Sequence, residues 1–179
     1  MRNLVPQLLI LTSILFTTFP QEPGAADPEP EAVVELWFER MNALDGTAQA
    51  SEALAALYHG DAQHITGPES HQRGTVTFAG RDKILLMAEQ WSARYSDPRF
   101  RIDVVTAREQ SEALYHRAEG PWGGAAVAVT YHAAFTRRED GKRFLVPGAA
   151  FFQLHDGGIR RVRFYAADGE MAPVEPMTR

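Results

Sequence analysis

The chain has 179 residues, a formal net charge of −5 and no cysteine. That length suits one domain with short extensions, and the missing cysteine excludes disulfides, thiolate nucleophiles, cysteine-ligated zinc and a lipid anchor on an N-terminal cysteine. The acidic balance offers no broad basic field for capturing phosphates, so nucleic acid is not an expected partner, although Arg160, Arg161 and Arg163 cluster locally.

The N-terminus reads as an export signal. Arg2 supplies a minimal positive start, Leu8 to Phe19 is mostly apolar, and Gly24-Ala25-Ala26 offers small residues where a signal peptidase cuts. Residues 1–26 are therefore expected to be removed, leaving residues 27–30, with Pro28-Glu29-Pro30, as a leader into a domain spanning 31–167 and a C-terminal tail at 168–179. The mature protein would be periplasmic or secreted. The alternative is an uncleaved membrane anchor, although the apolar run falls short of the ~20 residues a bilayer span needs. No membrane association is expected beyond this segment.

Glu31 to Leu44 places Val33, Val34, Trp37, Phe38, Met41 and Leu44 at helical spacing, with Pro30 just before the helix, where proline is tolerated. A second helix is expected from Ser51 through Leu54, Leu57 and Tyr58, ending on Gly60 as a C-terminal cap. Short strands follow at Ala62 to Thr66 and Val76 to Phe78. Arg81 to Tyr95 is the third helix, with Ile84, Met87, Ala88 and Trp91 near one face and Pro98 marking its end. Phe100, Ile102 and Val104 alternate with Arg101 and Asp103, as in a half-buried strand. Arg108 to Gly124 shows no clear pattern, and Glu119 to Gly124 must be a loop. The last third is the most regular. Ala125 to Thr136, Phe144 to Leu154 and Ile159 to Tyr165 read as three long strands, the last two joined by the turn His155-Asp156-Gly157-Gly158. An antiparallel meander preceded by helices implies an α+β domain whose helices cover one face of the sheet.

Several segments carry a family resemblance. Val33 to Ala43 resembles the first helix of the nuclear transport factor 2-like superfamily, Leu57-Tyr58-His59-Gly60-Asp61-Ala62 its entry to the first strand, and Gly80-Arg81-Asp82-Lys83-Ile84 the start of its third helix. Asp156-Gly157-Gly158-Ile159 with Tyr165 is similar to its last hairpin. The nearest flavour is the SnoaL-like and ketosteroid-isomerase-like group. The resemblance implies a cone-shaped, curved antiparallel sheet wrapped around three N-terminal helices, with a pocket inside, and often a homodimer formed through the convex side. The acids and tyrosine that such isomerases use fall here on Thr66, Ala150 and Trp37, so the usual pocket chemistry is not expected.

Period-two alternation then assigns the inward faces. Ala62, His64 and Thr66 share one, as do Val129, Tyr131 and Phe135, Ala150, Phe152 and Leu154, and Val162 with Phe164. Trp37, Met41, Met87 and Trp91 would add the helical walls. The expected lining is apolar, with His64, Thr66 and the Tyr131 hydroxyl as its polar points, a composition suited to a small, mostly apolar molecule. His64 is the candidate base and Tyr131 a candidate polarising partner; the alternative is an interior histidine bonded to a backbone carbonyl or to Thr66. His59, His71, His116, His132 and His155 form no recognised ligand pattern, so no metal and no cofactor is expected. Three functions stay open: a ligand-binding domain without pocket acids, a lyase or isomerase using His64, and a structural dimerisation or interaction domain.

Overall fold

A computed structural model describes residues 28–68, 76–110, 124–166 and 172–173. The expected signal segment, His71, His116, the expected loop at 119–123 and most of the tail lie outside the described residues. No helix among the described residues is long and apolar enough to cross a membrane.

Helix α1 (Pro30–Asn42) begins with proline at its first turn and buries Val33, Val34, Trp37, Phe38 and Met41. Helix α2 (Ala48–Ala55) is capped by Thr47, whose hydroxyl accepts the Ala50 N–H at 3.3 Å; Asp45 holds that threonine in turn through its backbone N–H and its hydroxyl. This helix stops five residues before the expected Gly60 cap. The chain leaves it at Leu57 and enters strand β1 (Tyr58–Pro68), because Tyr58 pairs with Ile159 and the Leu57 carbonyl accepts the Ile159 N–H. Gly60 takes no positive φ and so is not a helix cap.

Strand β2 (Val76–Ala79) pairs antiparallel with β1, and helix α3 (Arg81–Arg94) follows at once. Gly80, at φ +87°, makes the tight turn between them and donates its N–H to the Ala62 carbonyl at 2.8 Å. Strand β3 (Tyr95–Gln110) is much longer than the alternating stretch around Phe100 suggests. Helix α3 passes straight into it, and Pro98 sits where the pairing with the next strand slips between Ser96 and Arg99. A second slip, between Ile102 and Val104, reverses the alternation. Val104, expected to face inward, is therefore 58% exposed.

Strands β4 (Gly124–Arg137), β5 (Arg143–His155) and β6 (Gly158–Ala166) form the expected meander. Asp156 and Gly157 close its second hairpin with φ of 45° and 68°, the positive pair a two-residue turn needs to match strand twist. The short strand β7 (Ala172–Pro173) pairs with the start of β5. The main path of the sheet runs β2-β1-β6-β5-β4-β3. Every neighbouring pair on it is antiparallel except β1 with β6, which lie parallel because a long crossover, including α3 and the first two meander strands, joins them.

The curved, unclosed sheet wraps its concave face around the helices. Val127, Val129, Tyr131, Ala133 and Phe135 of β4 are all buried, as are Ala150, Phe152 and Leu154 of β5 and Val162 and Phe164 of β6. The inward faces read from alternation are thus the faces that form the core, together with α1, Leu54 of α2 and Ile84, Met87 and Ala88 of α3. This is the α+β cone expected from the sequence.

Candidate functional site

The strand register arranges the concave face in rows. His64 pairs with Val162, which pairs with Phe152, which pairs with Val127. The next row holds Thr66, Phe164, Ala150 and Val129. Tyr131 lies one row beyond, opposite Gly148. The two positions matched to acids by resemblance, Thr66 and Ala150, therefore flank Phe164 on one row, between His64 and Tyr131.

His64 is 3% exposed and anchors a buried polar chain. The Trp37 indole N–H donates to the Tyr58 hydroxyl at 2.7 Å, and that hydroxyl meets His64 Nδ1 at 2.8 Å. Arg81 fixes the tyrosine from behind, donating to its backbone carbonyl from Nε at 2.9 Å and also from Nη2. The partner of His64 is thus Tyr58 rather than a backbone carbonyl or Thr66. The imidazole stacks on Phe164 at 5.1 Å and 17°, and Trp37 packs on the same ring at 4.9 Å. Burial alone lowers the His64 pKa to about 3, because the surrounding rings solvate no charge. The same cause raises the Tyr58 phenol well above its ordinary value, with the Trp37 hydrogen bond opposing it only in part.

Tyr131 is buried among Phe38, Phe100 and Phe164, and burial pushes its phenol up to about 12. Its ring lies against Gly148, where an added Cβ would meet Cζ and Oη at 2.5 Å. Among the described residues no hydrogen bond joins Tyr131 to His64; each ring instead contacts Phe164. The other expected lining residues divide. Trp37, Phe152 and Ala150 are within 1% of full burial and form a packed wall, and Met41, Met87 and Phe164 are buried near it. Thr66 remains half-buried beside His64. Trp91, also half-buried, belongs to a second aromatic group with Tyr95, Phe100 and Phe135.

Two surface grooves lie apart from this set. One of about 930 Å³ runs between Asn42 to Asp45 and Ser96 to Arg101, and one of about 400 Å³ lies between the start of α1 and the β5–β6 turn. No cluster of three metal-binding side chains occurs among the described residues.

Sequence reasoning missed Tyr58. Placed in the last turn of a helix, it could not be assigned to the concave face. A register shift between Tyr58 and Gln63 also breaks the alternation between this tyrosine and His64, so period two alone does not place it on the concave face.

The model of the SnoaL-like domain family matches residues 34–162, and no curated protein matches the chain. Among solved structures, a protein with a ketosteroid isomerase-like fold from Catenulispora acidiphila DSM 44928, in complex with trimethylamine, is 19% identical with a TM-score of 0.56, covering 80% of this chain and 91% of that one. An NTF2-like protein from Exiguobacterium sp. 255-15 is 13% identical with a TM-score of 0.57, covering 76% and 99%. A protein from Xanthomonas campestris, described as a calcium/calmodulin dependent protein kinase II association domain, is 18% identical with a TM-score of 0.52, covering 77% and 85%. At these identities the likeness is one of fold.

Proposed function

Since the chain belongs to the SnoaL-like domain family, we propose that it uses the concave side of that fold to bind a small, mostly apolar molecule, outside the cytoplasm and after loss of residues 1–26. The observation that carries this reading is the setting of His64: one polar ring, stacked on Phe164 and tied to Tyr58, at the edge of an aromatic wall. Such a composition orients an apolar ligand through a single polar contact. None of the lining residues named above is a carboxylate, so among them no group stands ready for the acid chemistry of isomerase-like relatives.

Binding is favoured over catalysis by His64 because a general base needs a free basic nitrogen with a pKa near the working pH. Nδ1 already faces the Tyr58 hydroxyl, and burial weakens its basicity. Tyr131 contributes a hydroxyl one row beyond Phe164, where it can line the same space without touching His64.

Native mass spectrometry of the protein isolated from its own host tests both parts. A mature mass beginning at Asp27, carrying a small molecule that departs on gentle activation, is the expected result. An apo mass alone would refute ligand binding and shift weight to an interaction role with a filled cone; retention of residues 1–26 would refute cleavage.

A further inference from the structure

Resting on that binding reading, we infer that the ligand carries a neutral hydrogen-bond acceptor, a carbonyl of a ketone, aldehyde or ester, read by the Nε2–H of His64, and that Tyr58 is the positioning residue that fixes this polarity.

The direction of the buried chain follows from its first member. An indole N–H can only donate, so the Tyr58 oxygen receives the Trp37 bond. The single Tyr58 O–H is then free to donate onward to His64 Nδ1. In the reverse arrangement Nδ1–H would donate to Tyr58, whose own O–H would be buried without an acceptor, at a cost of about 1–3 kcal/mol. The favoured arrangement makes Nδ1 the acceptor and places the ring proton on Nε2.

Nε2 has no hydrogen-bond partner among the described residues. No buried side-chain nitrogen or oxygen there is left unsatisfied, so Nε2, on a residue only 3% exposed, is the atom of the ring that keeps a trace of solvent access. The stack on Phe164 fixes which way that edge points, and Arg81 steadies Tyr58 from its backbone. Three neutral groups in series also polarise one another, which strengthens the terminal donor.

This arrangement selects by charge type. A cation or an N–H donor finds no acceptor at Nε2. A carboxylate would surrender its hydration for one neutral donor, and Trp37, Tyr58 and His64 carry no cation to offset the loss. A neutral carbonyl needs one donor and brings little hydration to lose.

Two measurements on the full chain test the inference. Nitrogen-15 spectra of histidine-labelled free protein should show one imidazole held as the Nε2–H tautomer from pH 8 to pH 5, assigned by its absence in His64→Asn. In Tyr58→Phe that tautomer preference should collapse. An Nδ1–H or freely exchanging His64 in the parent protein overturns the inference, and so does an unchanged tautomer in Tyr58→Phe. The second measurement compares three matched probes, 2-acetylnaphthalene, 2-isopropylnaphthalene and 2-naphthoate. The ketone should bind roughly threefold to tenfold tighter than the hydrocarbon, the worth of one hydrogen bond, with naphthoate weakest and the ketone's advantage lost in Tyr58→Phe. Equal binding of all three would overturn the donor while leaving the apolar site standing; binding of none would overturn the binding reading itself.

Discussion

Mild acid, between pH 7.5 and 5, should destabilise this fold through His64. In the folded chain burial holds the His64 pKa at about 3, against 6.5 for an exposed histidine. Below pH 6.5 the unfolded state takes up a proton that the folded state refuses, so stability is complete above that pH and falls as pH drops toward 3. The slope approaches about 1.4 kcal/mol per pH unit. Integrated from pH 7.5 to pH 5.0, the loss from His64 alone is about 2 kcal/mol. The perturbation is His64→Asn, whose Oδ1 can still accept the Tyr58 hydroxyl while no titratable group remains. Urea unfolding at both pH values, on parent and variant, isolates the term, since every other ionisable group is common to the two. With a denaturant slope near 2 kcal/mol per molar, the parent midpoint should fall about 1 M further than the variant midpoint on acidification. The variant itself should be weaker at pH 7.5, because it forfeits the stack on Phe164, but flatter in pH. Equal losses in the two proteins would refute the claim that His64 is folded in its neutral form.

Two further substitutions probe how the site is held. Gly148→Ala would bring a methyl to 2.5 Å from the Tyr131 ring and 2.8 Å from the Tyr165 carbonyl, and should cost roughly 1–3 kcal/mol by thermal melting; a change within the scatter of surface mutations would show that Tyr131 does not lie across this glycine. Asn42→Ala removes an amide that accepts the Phe100 N–H and donates to the Phe100 carbonyl at 3.0 Å, closing the open edge of β3 beside the core. A loss of about 1 kcal/mol and faster hydrogen exchange at the Phe100 amide are expected; unchanged protection there would dissolve the assigned role.

The meander was legible because three strands repeat period two, two of them over more than ten residues, and end on turn residues of fixed chemistry, as at Asp156-Gly157. Boundaries failed where tertiary pairing overrode a local signal. Gly60 looks like a helix cap, yet the pairing of Tyr58 with Ile159 pulls the chain into the sheet before the helix can reach it. Val104 looks inward by alternation, but the slip after Ile102 turns it out, and nothing local in Arg101-Ile102-Asp103-Val104 announces a bulge. The candidate site was half legible for the same reason. His64 could be placed because its strand was recognised, whereas Tyr58 was assigned to the wrong element. The link from Trp37 to His64 spans 27 residues, and a tyrosine in between makes it only once the sheet has formed.

That link also accounts for how an aromatic-lined cone can hold a polar point without an acid. A carboxylate set among Trp37, Phe152 and Phe164 would be driven toward its protonated form or need a buried cation, and either demand constrains the rest of the core. Here the polar chain is built from an indole, a phenol and an imidazole, none of which is charged at neutral pH, and burial shifts the Tyr58 and His64 pKa values away from neutrality in opposite directions. Trp37 satisfies Tyr58 and Tyr58 satisfies His64 Nδ1, so the three groups bury no charge, and among the described residues no fully buried side-chain nitrogen or oxygen is orphaned. Thr66 and Ala150, where resembling isomerases carry acids, then become what such a core requires: one a small residue leaving room beside Phe164, the other a methyl packed to full burial. Thr66 and Ala150 at those positions and the Trp37–Tyr58–His64 chain are two sides of one electrostatic solution, a polar point held inside the cone without a buried charge among the three groups.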